Sequence, residues 1–288
     1  MTTIREALSQ ATQQFTLAGL QHPRLDAQVL LGHVLEVERA TLYTYPNRQL
    51  TPEQEQRFIA LVARRARGEP VAYLTGHREF YSLDFLVDNR VLVPRPETEH
   101  LVDEALKIIQ GMLQVGQQPI VADIGTGSGI IPITLAVQEP RLPHLYGCDI
   151  SPDALEVARL NCQLHHVEQQ IRLLQGNLLD PLPEPVDVLT ANLPYIGTDE
   201  MSGLERDVRD YEPYLALFSG PLGLDLLQRF LIDAQQPGKL KPGAILLLEI
   251  GYQQREPLTQ LLQNIWPSAS FRFMQDYGGY DRLLYINT

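Results

Sequence analysis

The second half of the chain alternates between two kinds of segment, and this order restricts the possible folds more than any other feature. From Pro119 onward, apolar segments with a strand pattern alternate with segments of helical spacing. Such alternation is typical of a parallel β-sheet covered by helices on both faces. The predicted strands cover residues 120–124, 145–148, 171–174, 186–191, 244–250, 271–273 and 283–286. The predicted helices between them cover residues 128–137, 151–164, 222–234 and 254–264.

The last two predicted strands are expected to form a hairpin-like edge pair around Asp276-Tyr277-Gly278-Gly279. The five strands before them occur in the order expected of βαβ units. We therefore predict a Rossmann-like α/β domain with a mostly parallel seven-stranded sheet.

Residues 1 to about 90 have a mainly helical pattern, which predicts a small separate module. Thr3 with Glu6, and Thr51 with Gln54, have the spacing of capping boxes that begin helices. Another helix is predicted after Pro23. Its apolar face would consist of Leu25, Val29, Leu30, Val34 and Leu35.

Two segments lie between this module and the α/β domain. Residues 79–87 alternate apolar and polar side chains and predict a β-hairpin that links the two. Pro94-Arg95-Pro96-Glu97-Thr98-Glu99 predicts a stiff joint before a helix, and it could place Arg95 and Glu97 at the rim of a site. The apolar face of that helix would consist of Leu101, Val102, Ala105, Leu106 and Ile109. We predict a helical domain over residues 1–90 and an α/β domain over residues 91–288.

The composition is that of an ordinary globular protein, with 44% hydrophobic and 20% charged residues. The formal net charge of −12 argues against a general nucleic-acid binder, which must neutralise phosphates.

Because the N-terminus has no signal pattern and no apolar run could span a membrane, we predict a cytoplasmic protein. Its two cysteines, Cys148 and Cys162, are expected to be reduced core residues, and no metal site is predicted.

Arg64-Arg65-Ala66-Arg67 is the one dense basic segment of the sequence. One interpretation is a solvated helix C-terminus, because basic side chains complement the helix dipole there. The other is contact with a partner that carries phosphate. The sequence leaves both interpretations open.

A glycine-rich segment, Asp123-Ile124-Gly125-Thr126-Gly127-Ser128-Gly129, follows the first strand of the predicted sheet and opens a helix. Glycines allow a tight turn and a close approach of backbone N–H groups to a ligand. A dinucleotide site has the spacing G-x-G-x-x-G, whereas this segment has G-x-G-x-G and an acid two positions ahead. Asp123 could bind the ligand or support the loop.

Two further polar residues stand at the ends of the next strands. Asp149 ends the second strand, where a carboxylate can bind both hydroxyls of a ribose. The alternative is that it caps the helix next to Ser151. Asn177 follows the third strand, where its side chain could contact an adenine edge. Together with the glycine loop, these residues fit an adenosine that carries an amino acid, which is S-adenosylmethionine.

The fourth strand ends in Asn192-Leu193-Pro194-Tyr195. Asn192 offers an amide oxygen to a planar NH2 group, and Pro194 holds Leu193 extended so that its carbonyl can face the same group. Tyr195 offers a flat face for stacking. These groups together form a cradle for an amide-type nitrogen. A simple turn at the end of a strand is the alternative interpretation.

Several motifs are similar to those of one protein family. They are Gly68-Glu69-Pro70-Val71-Ala72-Tyr73-Leu74-Thr75-Gly76, Glu79-Phe80-Tyr81, Val93-Pro94-Arg95-Pro96-Glu97-Thr98-Glu99, residues 123–129, residues 149–155, Tyr211-Glu212-Pro213, Ala216-Leu217-Phe218 and residues 276–282. On these residues the chain resembles, over nearly its whole length, the PrmC/HemK family of peptide chain release factor glutamine methyltransferases. The Pro-Arg-Pro-x-Thr-Glu motif is far more specific than the glycine loop.

The resemblance implies a class I S-adenosylmethionine-dependent methyltransferase fold. It also implies methylation of the glutamine side-chain nitrogen in the Gly-Gly-Gln motif of class I peptide chain release factors, which the helical domain would grip. S-adenosylhomocysteine would be the product. The implied cofactor-binding residues are Asp123, Gly125, Thr126, Gly127, Ser128, Gly129, Asp149, Ile150, Asn177, Leu178 and Asn192. The implied substrate-binding residues are Asn192, Leu193, Pro194 and Tyr195, and the catalytic ones among them are Asn192, Pro194 and Tyr195.

Two positions depart from the family pattern. Leu193 stands where the family has the first proline of Asn-Pro-Pro-Tyr. Leucine keeps the backbone carbonyl that would accept from the substrate, but the loop then has more conformations to lose on binding. Leu178 stands where some relatives have a tryptophan near the adenine, which predicts weaker packing against the base.

Two other functions are compatible with the same motifs. A methyltransferase acting on amino groups of adenine or guanine in DNA or RNA would use the same cradle. It would also need a basic channel, which residues 91–288 lack, because the net charge of −12 resides entirely in them. A scaffold that binds the cofactor without catalysis would follow if Leu193 had abolished the reaction.

Overall fold

The computed structural model describes residues 2–276 and 278–288, so the predicted turn residue Tyr277 lies outside the described residues. The helices are α1 Ile4–Leu17, α2 Pro23–Leu35, α3 Arg39–Thr44, α4 Pro52–Arg65, α5 Val71–Thr75, α6 Glu99–Gln114, α7 Ile130–Gln138, α8 Pro152–Leu164, α9 Arg206–Tyr211, α10 Tyr214–Leu217, α11 Asp225–Ala234 and α12 Arg255–Ile265. Short 3-10 helices cover Pro96–Thr98 and Thr198–Gly203. Within the described part of the chain, no helix combines the length and apolar character needed to cross a membrane.

The strands form one large sheet and one small one. They are β1 His77–Phe80, β2 Leu83–Leu86, β3 Val121–Ile124, β4 Leu145–Asp149, β5 Ile171–Gln175, β6 Val186–Ala191, β7 Leu240–Glu249, β8 Ser270–Gln275 and β9 Asp281–Asn287. β1 and β2 form the two-stranded sheet, as the predicted hairpin requires. The others form a seven-stranded sheet in the order β5-β4-β3-β6-β7-β9-β8.

The seven-stranded sheet confirms the predicted topology. Neighbours from β5 to β7 are parallel, whereas β9 is antiparallel to both β7 and β8. The chain enters at β3, proceeds outward to β5 and returns to the other side of β3 at β6. In open α/β sheets of this kind, ligands bind beside the carboxyl ends of the strands at such a reversal. The reversal between β3 and β6 therefore marks where a site is expected.

The strands are apolar on both sides because each face of the sheet carries a core. Leu246 and Leu248 of β7 lie in the core that includes residues of α11 and α12. Leu247, between them, lies in the core that includes residues of α6 and α7. The buried residues of α6 are those predicted from its periodicity. Two covered faces explain why the sequence shows continuous apolar runs instead of strict alternation.

By its internal contacts the chain divides into two compact units. Met1–His77 and Leu204–Tyr211 form a helical unit, and Arg78–Gly203 with Glu212–Thr288 form an α/β unit. This division differs from the predicted boundary at residue 90. Phe80 and Phe85 give the reason, since both are buried in the core that also contains residues of α6.

The helical unit confirms the predicted helix starts but not every buried position. Thr3 with Glu6 and Thr51 with Gln54 form complete capping boxes at α1 and α4. Leu25 was predicted to be part of the apolar face of α2 and is 41% exposed. Leu30, Val34 and Leu35 are buried as predicted, and Ala27 and Leu31 are buried as well, because α2 packs against both α1 and α4 and so buries a wider stripe.

Arg65 fits neither of the two interpretations of the basic segment, solvation or contact with a partner. Its side chain is buried, its Nε donates to Asp26 Oδ2 over 2.7 Å, and its Nη1 donates to the Glu69 carbonyl over 3.0 Å. Arg64 is more exposed and donates through Nε to Glu69 Oε2 over 2.8 Å. A buried guanidinium needs such partners, because an unpaired charge in the interior is costly. Contact of Arg64 and Arg67 with a partner stays a prediction.

The two cysteines are buried, which confirms their predicted place in the core. Burial raises the pKa of the Cys162 thiol to about 12, so it stays protonated at neutral pH. In residues 2–276 and 278–288, no group of three or more His, Cys, Asp and Glu side chains could hold a metal ion.

Asn161 of α8 joins the hairpin to the glycine-rich segment, and we predict that Asn161→Ala is strongly destabilising. Its Nδ2 donates to the carbonyls of Ser128 and Leu86 over 2.9 and 3.0 Å, and its Oδ1 accepts from Leu86 N over 2.8 Å. Since the side chain is fully buried, its loss leaves buried backbone groups unpaired. The free energy of unfolding should fall by about 3 kcal/mol, measured by urea titration. The exposed Gln163→Ala on the same helix is the control, and an equal small effect of both variants would contradict the prediction.

Candidate functional site

The register of the sheet brings four functional positions to one level. Ile124 of β3 pairs with Cys148 of β4 on one side and with Ala191 of β6 on the other. Ala191 in turn pairs with Leu248 of β7. The next residues of these strands are Gly125, Asp149, Asn192 and Glu249. Because parallel strands end at the same edge, residues far apart in sequence meet there.

A cavity opens at this edge of the sheet, within the α/β unit. It is lined by the glycine loop, by the segments that follow β4, β5 and β6, and by parts of residues 90–98 and 213–216. The predicted site residues that line it are Gly125, Thr126, Gly127, Ser128, Asp149, Ile150, Asn177, Leu178, Asn192, Leu193 and Pro194. Those placed outside its lining are Asp123, Gly129 and Tyr195.

The glycine loop is hydrogen-bonded to β4 and lies close to the segment that follows β6. The backbone N–H groups of Gly125 and Thr126 donate to the Cys148 carbonyl over 2.8 and 2.9 Å. Gly125 has a φ of +73°, and a Cβ there would lie 3.0 Å from Leu193 Cδ2. A Cβ on Gly127 would instead meet no atom within 4 Å, so room remains beside the cavity-lining backbone. Glycine thus permits the turn at Gly125, the close packing of its backbone against Leu193, and the approach of a ligand to the backbone at Gly127.

Asp123 lies beneath the loop instead of in the cavity wall. Its side chain is buried, and its Oδ1 accepts from Thr190 Oγ1 of β6 over 2.8 Å. Burial raises the pKa of this carboxyl to about 7, against the opposing effect of nearby hydroxyls. Oδ2 of Asp123 and Oγ1 of Thr126 are buried without a hydrogen-bond partner in the described structure. This position suits the second of the two predicted roles, support of the loop.

Asp149 connects two turns at the end of β4. Its Oδ1 accepts from Ser151 N and its Oδ2 from Gly127 N, each over 2.9 Å. The N-cap of α8 is Ser151, whose side chain accepts from Ala154 N. Asp149 holds the glycine loop through Gly127 N, so it is not only a helix cap. Burial raises the pKa of Asp149, and the backbone N–H groups oppose this rise. A carboxylate has about four acceptor sites, so two remain for ligand hydroxyls.

The segments after β4 and β5 form the apolar end of the cavity. Ile150 is 50% exposed in its wall, whereas Leu178 is buried and has a φ of +50°. In the amide orientation that satisfies both groups, Asn177 Oδ1 accepts from Arg229 Nη2 over 2.6 Å. With its oxygen engaged in this way, Asn177 can offer a ligand only the N–H donors of Nδ2.

Asn192 is the polar side chain that follows β6 in the cavity wall. Its Nδ2 donates to Thr98 Oγ1 over 3.2 Å, and within the described residues its Oδ1 accepts no hydrogen bond. Leu193 is buried and Pro194 lines the cavity. Tyr195 packs against the core, and its carbonyl accepts from Gln254 Nε2 over 2.9 Å.

Sequence reasoning missed two buried polar residues behind Asn192. Thr98 Oγ1 donates to Glu249 Oε2 over 2.6 Å, and the Tyr195 hydroxyl donates to Glu249 Oε1 over 3.3 Å. Thr98 is fully buried and Glu249 is 2% exposed. The available signal was an acid inside the apolar run 244–250, which is unusual for a strand buried on both faces.

The Pro-Arg-Pro-Glu-Thr-Glu segment lies at the rim of the cavity, but only part of the prediction for it holds. Arg95 lines the cavity, and its Nη2 donates to the buried Glu212 Oε1 over 2.6 Å. Glu97 is exposed and outside the lining, so its predicted place at the rim is wrong. The 3-10 helix Pro96–Thr98 explains this: with three residues per turn, Arg95 and Thr98 point to the same side.

Two family models and many relatives match the chain. The model described as PrmC N-terminal domain matches residues 6–76, and the one described as ribosomal protein L11 methyltransferase (PrmA) matches residues 101–195. A release factor glutamine methyltransferase of Koribacter versatilis is 38% identical over 285 residues, which are 98% of this chain and 97% of that protein. One of Moorella thermoacetica is 42% identical over 281 residues, which are 97% and 96% of the two chains.

Solved structures share the fold at lower sequence identity. The hMettl16 catalytic domain, solved in complex with MAT2A 3'UTR hairpin 1, has a TM-score of 0.54 and 14% identity. The match covers 85% of this chain and 83% of that one. At this identity the likeness supports the methyltransferase fold alone. On the near full-length identity to the relatives above, the chain belongs to the release factor glutamine methyltransferase family.

Proposed function

We propose that the protein transfers the methyl group of S-adenosylmethionine to the side-chain nitrogen of the glutamine in the Gly-Gly-Gln motif of class I peptide chain release factors. The observation that carries this proposal is the orientation of Asn192 beside the glycine loop. Its Nδ2 is bound to Thr98, so its Oδ1 is left as the acceptor that a planar NH2 group requires. The names of the relatives support the substrate. S-adenosylhomocysteine would be the product.

The cavity fits this cofactor in three respects. Asp149 keeps acceptor sites for two ribose hydroxyls. Ile150 is an aliphatic side chain half-exposed in the wall, which a flat base would cover. Thr126 has a buried hydroxyl without a partner in the described structure. The residues proposed to hold the cofactor directly are Gly125, Thr126, Gly127, Ser128, Asp149, Ile150, Asn177, Leu178 and Asn192, and Asp123 and Gly129 are proposed to act on it through the loop that they support.

Asn192, Leu193, Pro194 and Tyr195 are proposed to bind and orient the glutamine amide. The amide nitrogen is a poor nucleophile, because its lone pair is delocalised into the carbonyl group. Asn192 Oδ1 and the Leu193 carbonyl would each accept one N–H and so fix the plane of the amide. Bound S-adenosylmethionine supplies a methyl group already activated by a positive sulfur. Positioning by these acceptors would therefore provide most of the rate enhancement.

The proposed reaction needs no strong base from the protein. Among the described residues that line the cavity, Asp149 is the one carboxylic acid, and it ends β4, whereas Asn192 follows β6. The alkylated nitrogen is very acidic and can lose its proton to water after transfer. Pro194 would shape the turn. Tyr195 packs beside the core and outside the cavity lining, so the proposed stacking on its ring would require that face to become accessible when the substrate binds.

The helical unit is proposed to bind the release factor. The PrmC N-terminal domain model matches residues 6–76, which lie inside this unit and inside the predicted domain 1–90. Arg67 is exposed and Arg64 is partly exposed, so both can reach a partner. Arg65 is committed to Asp26 and would act only through the fold of the unit.

The proposal is tested with methyl-labelled S-adenosylmethionine, a purified class I release factor and the full chain. We expect one methyl group per release factor, located by mass spectrometry on the glutamine of Gly-Gly-Gln. A release factor with alanine at that glutamine is the matched control and should remain unlabelled. Label on RNA or DNA in a parallel reaction, with none on the release factor, would favour an adenine or guanine methyltransferase. Bound cofactor without any transfer would indicate a scaffold.

A further inference from the structure

A chain of buried hydrogen bonds extends behind the cavity from Asn192 to Glu249. Asn192 Nδ2 donates to Thr98 Oγ1 over 3.2 Å, and Thr98 Oγ1 donates to Glu249 Oε2 over 2.6 Å. The second carboxylate oxygen of Glu249 accepts from the Tyr195 hydroxyl over 3.3 Å. This hydrogen-bond network thus contacts both ends of the segment 192–195. The function proposed above uses only the contact between Thr98 and Asn192, and Glu249 has no role in it.

In the structure the hydrogen bonds of this network run in one direction, from Asn192 Nδ2 to Thr98 Oγ1 and from Thr98 Oγ1 to Glu249 Oε2. Burial raises the pKa of Glu249, but an Oε2 that carries no proton accepts the single hydroxyl proton of Thr98 in either ionisation state of the carboxyl group. The Thr98 oxygen can then only accept, and the partner it faces must present N–H groups. The Asn192 amide therefore turns its Nδ2 toward Thr98 and its Oδ1 away from it. The opposite rotamer would place two acceptors against each other in a buried position, where unpaired polar groups are costly.

We infer that Thr98 and Glu249 are positioning residues that fix the amide of Asn192 with its oxygen toward the substrate. The inference rests on the proposed function, in which that oxygen accepts an N–H of the glutamine amide. Without the Thr98 hydroxyl, the Asn192 amide could present either its oxygen or its NH2 group to the substrate. An NH2 group in that place would repel the amide to be methylated.

The sheet register explains why an acid at this place can act on Asn192. Ala191 pairs with Leu248, so Asn192 and Glu249 leave neighbouring strands side by side. Thr98, at the end of its 3-10 helix, is held between them and is fully buried. Gln254 fixes the other side of the segment, because its Nε2 donates to the carbonyls of Tyr195 and Gly223 over 2.9 and 3.2 Å. The segment is therefore held from behind at both ends.

The first test compares Thr98→Val, which removes the hydroxyl at nearly constant volume, with Thr98→Ser, which keeps it. We expect Thr98→Val to lower kcat by about 30-fold, within the range for misplaced catalytic groups, and Thr98→Ser to stay within about threefold of wild type. Affinity for S-adenosylhomocysteine should be unchanged in both. Thr134→Val is the matched control, since it removes a buried hydroxyl whose hydrogen bond, among the described residues, is to Ile130 O within α7. An equal loss of kcat in Thr98→Val and Thr134→Val would overturn the inference.

A double-mutant cycle separates positioning from general damage to the fold. In an Asn192→Ala background, Thr98→Val should lower kcat by less than about twofold, because the group it orients is gone. An undiminished loss in that background would overturn the inference. Glu249→Gln provides a second variant in case Thr98→Val folds poorly, since glutamine can donate to Thr98 and so release the Asn192 amide. We expect it to show the same coupling to Asn192.

A spectroscopic readout keeps the test independent of the substrate. The side-chain NH2 signals of Asn192 in 15N-labelled protein, assigned with Asn192→Ala, should show slow exchange in wild type and in Thr98→Ser. They should shift and exchange faster in Thr98→Val and Glu249→Gln. Unchanged signals would overturn the inference, whether or not release factor is methylated. If the wild-type protein failed to methylate release factor, the proposed function would be overturned. The NMR signals of the Asn192 side chain would still decide whether Thr98 and Glu249 orient its amide.

Discussion

Replacing Asn192 with alanine is expected to lower kcat for methyl transfer by about 100- to 1,000-fold, the range for loss of one preorganised hydrogen-bonding group. The reason is that Asn192 Oδ1 would no longer fix the substrate amide, while the Leu193 carbonyl alone cannot set its plane. The cofactor site, built mainly on the glycine loop and Asp149, should remain within a few-fold of its normal affinity. Single-turnover rates with labelled donor, together with calorimetric titration of S-adenosylhomocysteine, measure the two quantities separately.

The control for this substitution is Asn264→Ala, which changes an exposed asparagine on α12. It should leave both the rate and the cofactor affinity unchanged. Equal losses of rate and of cofactor affinity in Asn192→Ala would refute its proposed role toward the substrate. They would point instead to collapse of the segment that contacts Gly125 through Leu193.

Replacing Asp149 with alanine is expected to raise the Kd for S-adenosylhomocysteine by about 100-fold. Hydrogen bonds to a charged group contribute about 1.5 to 3 kcal/mol each, and each 1.4 kcal/mol corresponds to a factor of ten. Two ribose hydroxyls would lose their acceptor. The loss also frees Gly127 N, which donates to Asp149 Oδ2, so the glycine loop becomes less ordered. Calorimetric titration measures the change, and the exposed Asp153→Ala on α8 is the control.

A cofactor analogue distinguishes the two consequences of this substitution. A 2′-deoxyadenosyl analogue of S-adenosylhomocysteine should bind wild type more weakly than the natural compound. In Asp149→Ala the two compounds should bind alike, because the acceptor for the 2′-hydroxyl is absent. If the preference for the natural compound persisted in Asp149→Ala, the carboxylate would be a support of the loop and not a ligand of the ribose.

Local patterns in the sequence predicted most of the secondary structure. The capping boxes at Thr3 and Thr51 and the buried face of α6 depend on residues three or four positions apart. Such spacing is visible without knowledge of the fold. The alternation of strands and helices likewise predicted the parallel sheet, since few topologies accommodate that order. The short helices α9 and α10 were missed, because their apolar faces are too brief to give a period.

The residues of the candidate site were predicted only where a single polar side chain at the end of an apolar strand indicates a function by itself. Asp149 ends one apolar strand and Asn192 directly follows another, and the sheet places the ends of such strands together. Leu25 and Glu97 were misplaced because their surroundings depend on neighbouring helices and on the three-residue turn before α6. Tyr195 was expected in the cavity, and the structure places its ring beside the core and its hydroxyl on Glu249.

By itself the sequence determined the α/β architecture, the glycine loop and the amide at the end of the fourth strand, because each rests on contacts within a few residues. Only the tertiary structure decided which way the Asn192 amide faces. That orientation depends on Thr98 and Glu249, which are 151 positions apart in the chain. Hydrogen-bond direction in a buried network is a property of all its members together, and no spacing along the chain encodes it.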